Sequence, residues 1–181
     1  MSFSKIHTAQ NHLLKAHIID IETDLSRGLH SFSIVGLGDK AVEESKDRVS
    51  SAIKNSGFTA PKSKNEKIVV SLAPADIKKE GPSFDVGIAL GYLVATGDIE
   101  FNPEKTIFLG ELSLDGSIRS ITGVLPLIVE ARKHGFVRAF VPKENAEEAA
   151  LVEGISIYPA ASLTELIEHL NVRDKKSTPK T

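Results

Sequence analysis

The chain has 181 residues, 41% hydrophobic and 25% charged, which is enough for one ordinary domain with its own core. Its 22 basic and 24 acidic residues give a formal charge of -2, so no global field drives it onto nucleic acid or an anionic membrane. The absence of cysteine excludes disulfides and thiolate metal or redox sites. Nor does any apolar stretch approach the roughly 18 residues of a membrane span. A cytoplasmic protein with no membrane partner is the expectation.

The first third alternates apolar and polar residues in three short runs, "SFSKIHT", "LKAHIIDIETDL" and "HSFSIVGL". The last two are joined by "SRG", which predicts an antiparallel meander. In "GDKAVEESKDRVSSAIKNSG", Val42, Val49 and Ile53 recur at near-helical spacing between Asp39 as N-cap and Gly57 as stop. "EKIVVSL" reads as a buried strand, followed by the turn "KKEGPSFD" and a helix with Ile88, Ala89 and Leu93 facing the core. Two β runs then flank Asp115-Gly116, a strong hairpin signal. "GVLPLIVEARKHG" is a helix with Pro126 in its first turn and Gly135 at its end. Strands "VRAFVPK" and "ISIYP" alternate with short helices opened by Asn145 with Glu148 and by Ser162 with Glu165. This order predicts an α+β domain over residues 1–171. Residues 172–181, "VRDKKSTPKT", are polar and read as a flexible linker or tail.

Several motifs invite a chemical reading. "SIVGLGDKA" matches a dinucleotide turn, yet Asp39 stands where a pyrophosphate would sit and no acidic residue ends the next strand. No glycine is followed by lysine, which excludes a Walker phosphate loop from these residues and with it ATP hydrolysis by this chain alone. The six histidines, 7, 12, 17, 30, 134 and 169, form no i, i+4 pair, and His17, Asp20 and Glu22 on one strand do not share a face. No metal or cofactor is expected. Lys62 and Lys64, with Lys67, form one basic loop and Lys78 with Lys79 another, candidates for nucleic-acid or partner contact, although no aromatic residues are interleaved to stack on bases. Ser83 sits in a Gly-Pro-Ser turn before a helix, the place of a nucleophile supplied with backbone donors; it needs a base from elsewhere.

"KKEGPSFDVGIAL" and "FLGELSLDGSIRSITGVLPLIVEARKHGFVRAFVPKENAEEA" resemble the proteolytic domain of Lon proteases and the Lon-like domain of the RadA family. That resemblance makes Ser83 the counterpart of the nucleophile and, anchored on Gly110-Glu111, puts the basic lysine's position on Leu127, which accepts no proton. Lys133, six residues on, lies about 240° round the helix. A longer match, "VSLAPADIKKEGPSFDVGIALGYL" with the segments either side, is similar to the N-terminal domain of the ComM/YifB family of Mg-chelatase-like (ChlI-type) proteins. It implies a two-layer Lon-protease-like fold, also described as ribosomal-protein domain-2-like, with a β-sheet covered by helices. In that family the Lon-like domain precedes an AAA+ ATPase module that binds ATP and Mg, and hexamers act on DNA in branch migration during natural transformation. The sequence departs from the family at Gly38 and at Pro82-Ser83, and the AAA+ module is absent from these residues, which leaves two expectations open: a piece of a longer polypeptide, or a protein that has lost its motor.

The resemblance implies a non-catalytic accessory domain, Ser83 being vestigial, that supports ring assembly or DNA engagement. Two alternatives stay open: a Lon-like serine hydrolase with a displaced lysine, and a stand-alone nucleic-acid binder using the lysine loops.

Overall fold

Alternation along the first two strands closes a long antiparallel hairpin, β1 (Phe3–His12) with β2 (Lys15–Arg27), in register from Phe3 opposite Asp24 to His12 opposite Lys15. A computed structural model describes residues 2–177, with side chains through Asn171. Next come β3 (Ser31–Val35), α1 (Lys40–Asn55), β4 (Glu66–Ala73) and α2 (Asp85–Thr96). The remainder is β5 (Thr106–Phe108), β6 (Glu111–Leu112), β7 (Ile118–Arg119), α3 (Val124–Lys133), β8 (Arg138–Pro142), α4 (Ala146–Ala149), β9 (Ser156–Ala160) and α5 (Leu163–Ser177). Seven strands form one mixed sheet in the order β3-β4-β2-β1-β5-β8-β9, and β6 with β7 makes a separate hairpin. The α+β expectation holds.

Two local expectations are corrected. The "SRG" loop does not close an antiparallel pair: β4 inserts between β2 and β3, antiparallel to β2 and parallel to β3. Burial explains the choice, because β4 brings Ile68, Val70 and Leu72, all fully buried, whereas β3 buries only Ile34 and takes the edge. The run "TIFLGEL" is not one strand either. It breaks at Gly110, whose φ of 151° suits glycine alone and where a Cβ would lie 2.7 Å from Ile118 Cγ2. The break leaves β5 in the main sheet and swings β6 out to pair with β7.

The sheet separates two apolar clusters. α1, α2 and α5 pack on one face over Ile6, Ile21, Val70 and Phe140, and α3 with α4 covers Ala9, Ile107, Ala139 and Val141 on the other, at the β1-β5-β8 half. Strand alternation produces this, since Phe140 and its neighbours Ala139 and Val141 point opposite ways. Ile88, Ala89 and Leu93 are fully buried as expected, and α2 presses so close to the hairpin that a Cβ on Gly87 would stand 2.4 Å from Ile21 Cδ1.

The helix ends follow the sequence in part. Asp39 caps α1 by accepting from the Val42 amide at 2.9 Å, and Ser162 accepts from the Glu165 amide at 3.1 Å. Asn145 is no cap: its amide group is spent on both backbone groups of Ile121, at 2.9 Å each. α5 spans Leu163–Ser177, so the linker expected from residue 172 begins within a helix, and residues 178–181 lie outside the described residues. Among the described residues no helix is long and apolar enough to cross a membrane.

Candidate functional site

The turn "KKEGPSFD" is assembled by contacts distant in sequence. Gln10, at the end of β1, donates to the Lys78 carbonyl at 2.6 Å and accepts from the Glu80 amide at 3.0 Å. Backbone bonds from Lys79 N to Leu37 O (2.9 Å) and from Asp39 N to Lys79 O (3.0 Å) zip the turn to the glycine loop before α1. The second carboxylate oxygen of Asp39 accepts from Gly81 N at 3.2 Å, so the capping residue of α1 also holds this turn. With the Asp39 carboxylate held at the start of α1 by Val42 N and Gly81 N, the "GLGDK" loop offers no seat for a pyrophosphate.

Lys79, expected as a surface contact, is fully buried. Its ammonium donates to the carbonyls of Gly36, at 2.7 Å, and Pro74. Burial pulls its pKa below the ordinary lysine value, and the charge of Asp76 opposes that shift. Lys78 is the exposed member of the pair and lies 3.8 Å from Glu80. Lys62 and Lys64 precede β4 whereas Lys78 and Lys79 follow it, roughly 25 Å away along an eight-residue strand. Each is answered by a carboxylate, Asp47 at 3.1 Å and Asp98 at 3.9 Å, and the two loops make no common basic patch.

α2 starts without a side-chain cap. Val86 N donates to Gly110 O at 3.2 Å, and Gly110 N donates back to Ser83 O at 3.4 Å, so backbone of the β5-β6 break closes the helix end. The Ser83 hydroxyl is therefore not the cap. The fixed point is Asp85, fully buried, which takes two hydrogen bonds from Arg48 of α1 at 2.7 and 3.1 Å and a third from Leu112 N at 3.1 Å. Burial pushes the Asp85 carboxyl upward against those bonds, while the hydrogen bond to Asp85 raises the Arg48 guanidinium. Sequence reasoning missed Arg48 and Gln10 and gave Asn145 a local capping role in place of its clip on Ile121, because each of the three acts across at least 24 residues.

Ser83 and Leu127 line one cleft of about 270 Å³. Its walls are Gln10 and Asn11 of β1, the Glu80–Ser83 turn, Glu111 of β6, the Ser120–Thr122 loop and Leu127 of α3. Asn11 donates to Gly123 O at 3.0 Å and Asn145 clips Ile121, which together fix the loop wall. Half-buried Ser83 faces a lining whose ionisable groups are Glu80 and Glu111; no lysine, arginine or histidine is among them. Lys133 is exposed in the last turn of α3 and lies outside the cleft. His7 pairs with Asp20 at 2.7 Å and His17 contacts His12 instead. Among the described residues no three His, Asp or Glu side chains converge as a metal site.

A family model described as subunit ChlI of Mg-chelatase matches residues 21–145. The competence protein ComM of Haemophilus influenzae is 38% identical over 176 residues, 97% of this chain and 34% of that protein. YifB of Escherichia coli is 35% identical over 181 residues, 99% of this chain and 35% of that protein. An archaeal Lon protease of Methanocaldococcus jannaschii is 28% identical over 156 residues, 83% of this chain and 22% of its own length. The chain thus spans about a third of the length of the ComM and YifB relatives, and its α+β architecture carries the Lon-like likeness.

Proposed function

The chain belongs to the ChlI family of Mg-chelatase-like proteins, and we propose that it is the non-catalytic accessory domain of a ComM/YifB-type AAA+ ATPase. In this reading the domain supports assembly of a hexameric ring or its engagement with DNA, and ATP and Mg belong to the ATPase module of the longer polypeptide. The observation that carries the non-catalytic part is the cleft itself. Ser83 shares it with Leu127, an aliphatic side chain that is 3% exposed and cannot take a proton. The buried lysine nearest in sequence, Lys79, is held by two carbonyls. A serine without a base is a weak nucleophile. The length of the relatives supports the accessory part, since two thirds of ComM and YifB lie outside the matched region.

The expected outcome is that a fluorophosphonate probe leaves Ser83 unlabelled and the chain cleaves no peptide, whereas in the full-length polypeptide its removal lowers ATP-dependent hexamer formation or binding to branched DNA. Labelling at Ser83 overturns the non-catalytic reading in favour of the hydrolase alternative. Tight, salt-sensitive DNA binding by the chain alone favours a stand-alone binder.

A further inference from the structure

The main sheet ends differently at its two edges, and only one of them is open. We infer that β3 pairs antiparallel with β3 of a second copy of this chain, about a two-fold axis at Ser33, so that two seven-stranded sheets become continuous.

At the far edge β9 carries Pro159, which has no N–H to offer a further strand. β3, "SFSIV", holds no proline and no charged residue to blunt it. Among the described residues the backbone of Ser31–Val35 makes no hydrogen bond beyond its ladder with β4, so alternate N–H and C=O groups lie open on the outer side. Exposed side chains alone would select no occupant. An open ladder does, because only an extended polypeptide completes it. That polypeptide needs an open edge of its own, and in the main sheet only β3 has one.

The residues of β3 suit their own copies. With Ser33 opposite the second copy's Ser33, Phe32 stands opposite Ile34 and Ser31 opposite Val35, alike at both ends. On the core-facing side this sets an aromatic against a β-branched side chain, a favourable cross-strand pair. On the other side it covers Val35, which is 49% exposed. No Asp, Glu, Lys or Arg occurs from Gly28 through Gly38, so the pairing brings no like charges together. Lys67 lies in register with Ser31, which places it and its copy at opposite ends of the paired strands. Charges on α1 are already answered, Glu43 by Lys46 at 2.6 Å and Asp47 by Lys62 at 3.1 Å. Leu29 and Leu37, 86% and 58% exposed, flank the strand and add apolar area to the contact. A two-fold contact differs from the head-to-tail contacts of a cyclic ring, so the inference stands apart from the accessory role proposed above.

The test is sedimentation equilibrium of the 181-residue chain from roughly 10 µM to 1 mM. A five-residue ladder is a small interface, so half-dimerisation is expected on the order of 100 µM. Amide exchange at Ser31–Val35 should slow as the dimer fills. Ser33 is exposed, so Ser33→Lys and Ser33→Glu should each keep the Tm of the unsubstituted chain. Each sets like charges across the axis and is expected to weaken dimerisation at least about ten-fold. Mixing the two variants puts opposite charges there and should restore a dimer that added salt weakens. A chain that stays monomeric to 1 mM, a Ser33→Lys variant that dimerises undiminished, or a mixture that fails to associate overturns the inference.

Discussion

The two sides of the start of α2 differ sharply. On the inner side Asp85 is fully buried and holds α1 through Arg48 and β6 through Leu112 N. On the outer side, two residues earlier, Ser83 opens onto a cleft that lacks a basic group, and only its carbonyl is tied down, by Gly110. One turn thus carries a heavily cross-linked architectural half and a half whose hydroxyl faces a cleft lined by no lysine, arginine or histidine. The first half accounts for the turn's place in the fold, because Lys79 and Asp85 are both buried ionisable groups whose partners lie elsewhere in the chain. A sequence resemblance centred on this turn therefore reports the scaffold of a nucleophile site before it reports a nucleophile.

Breaking the inner half should have the largest effect. Arg48→Ala leaves the buried Asp85 carboxylate without its cation, and such an uncompensated charge costs about 3–5 kcal/mol. The measurement is urea unfolding of the chain. A loss under 1 kcal/mol would show that Leu112 N and nearby polar groups suffice for Asp85.

Lys79→Met is the next largest, about 1–3 kcal/mol, because the carbonyls of Gly36 and Pro74 lose their donor in a buried site. It also carries a pH signature. Burial lowers the folded-state pKa of Lys79 below its ordinary value of 10.5. Between those two pKa values the unfolded chain holds more protons, so stability attributable to Lys79 rises with pH through that window and levels off above the unfolded pKa. Unfolding curves taken from neutral pH upward should show this rise in the unsubstituted chain relative to Lys79→Met. A difference that is flat or falls with pH would mean the ammonium is not desolvated.

Much of this was legible in the sequence wherever the determinant was local. The α1 cap at Asp39, the Asp115-Gly116 hairpin, the Pro126 and Gly135 ends of α3 and the apolar face of α2 rest on spacing within a few residues, and all are found. The sheet order was not legible, because the placing of β4 between β2 and β3 depends on which strand buries more once the helices are in place. The exposure of Lys79 was misread for a similar reason. "KK" in a polar turn gives no sign that the second lysine is covered by a distant loop, and its contacts with the Gly36 and Pro74 carbonyls distinguish it from Lys78. In the candidate site the position of Ser83 and its shared cleft with Leu127 followed from the Lon-like resemblance, whereas the acidic lining came from residues as far apart as Glu80 and Glu111.

The smallest effect belongs to the outer half and is the sharpest check on the contrast. Ser83→Ala removes a half-buried hydroxyl for which no hydrogen bond caps α2, and it leaves the Ser83 carbonyl that accepts from Gly110 in place. A substitution with no cap, cavity or buried partner at stake changes stability by less than about 0.5 kcal/mol. If the serine is chemically idle, the ring assembly and DNA engagement proposed above should be unchanged as well. A stability loss near that of Lys79→Met would mean the hydroxyl has a structural partner. An unchanged stability with lost function would mean that the outer half is active after all, by a route other than a lysine base at position 127.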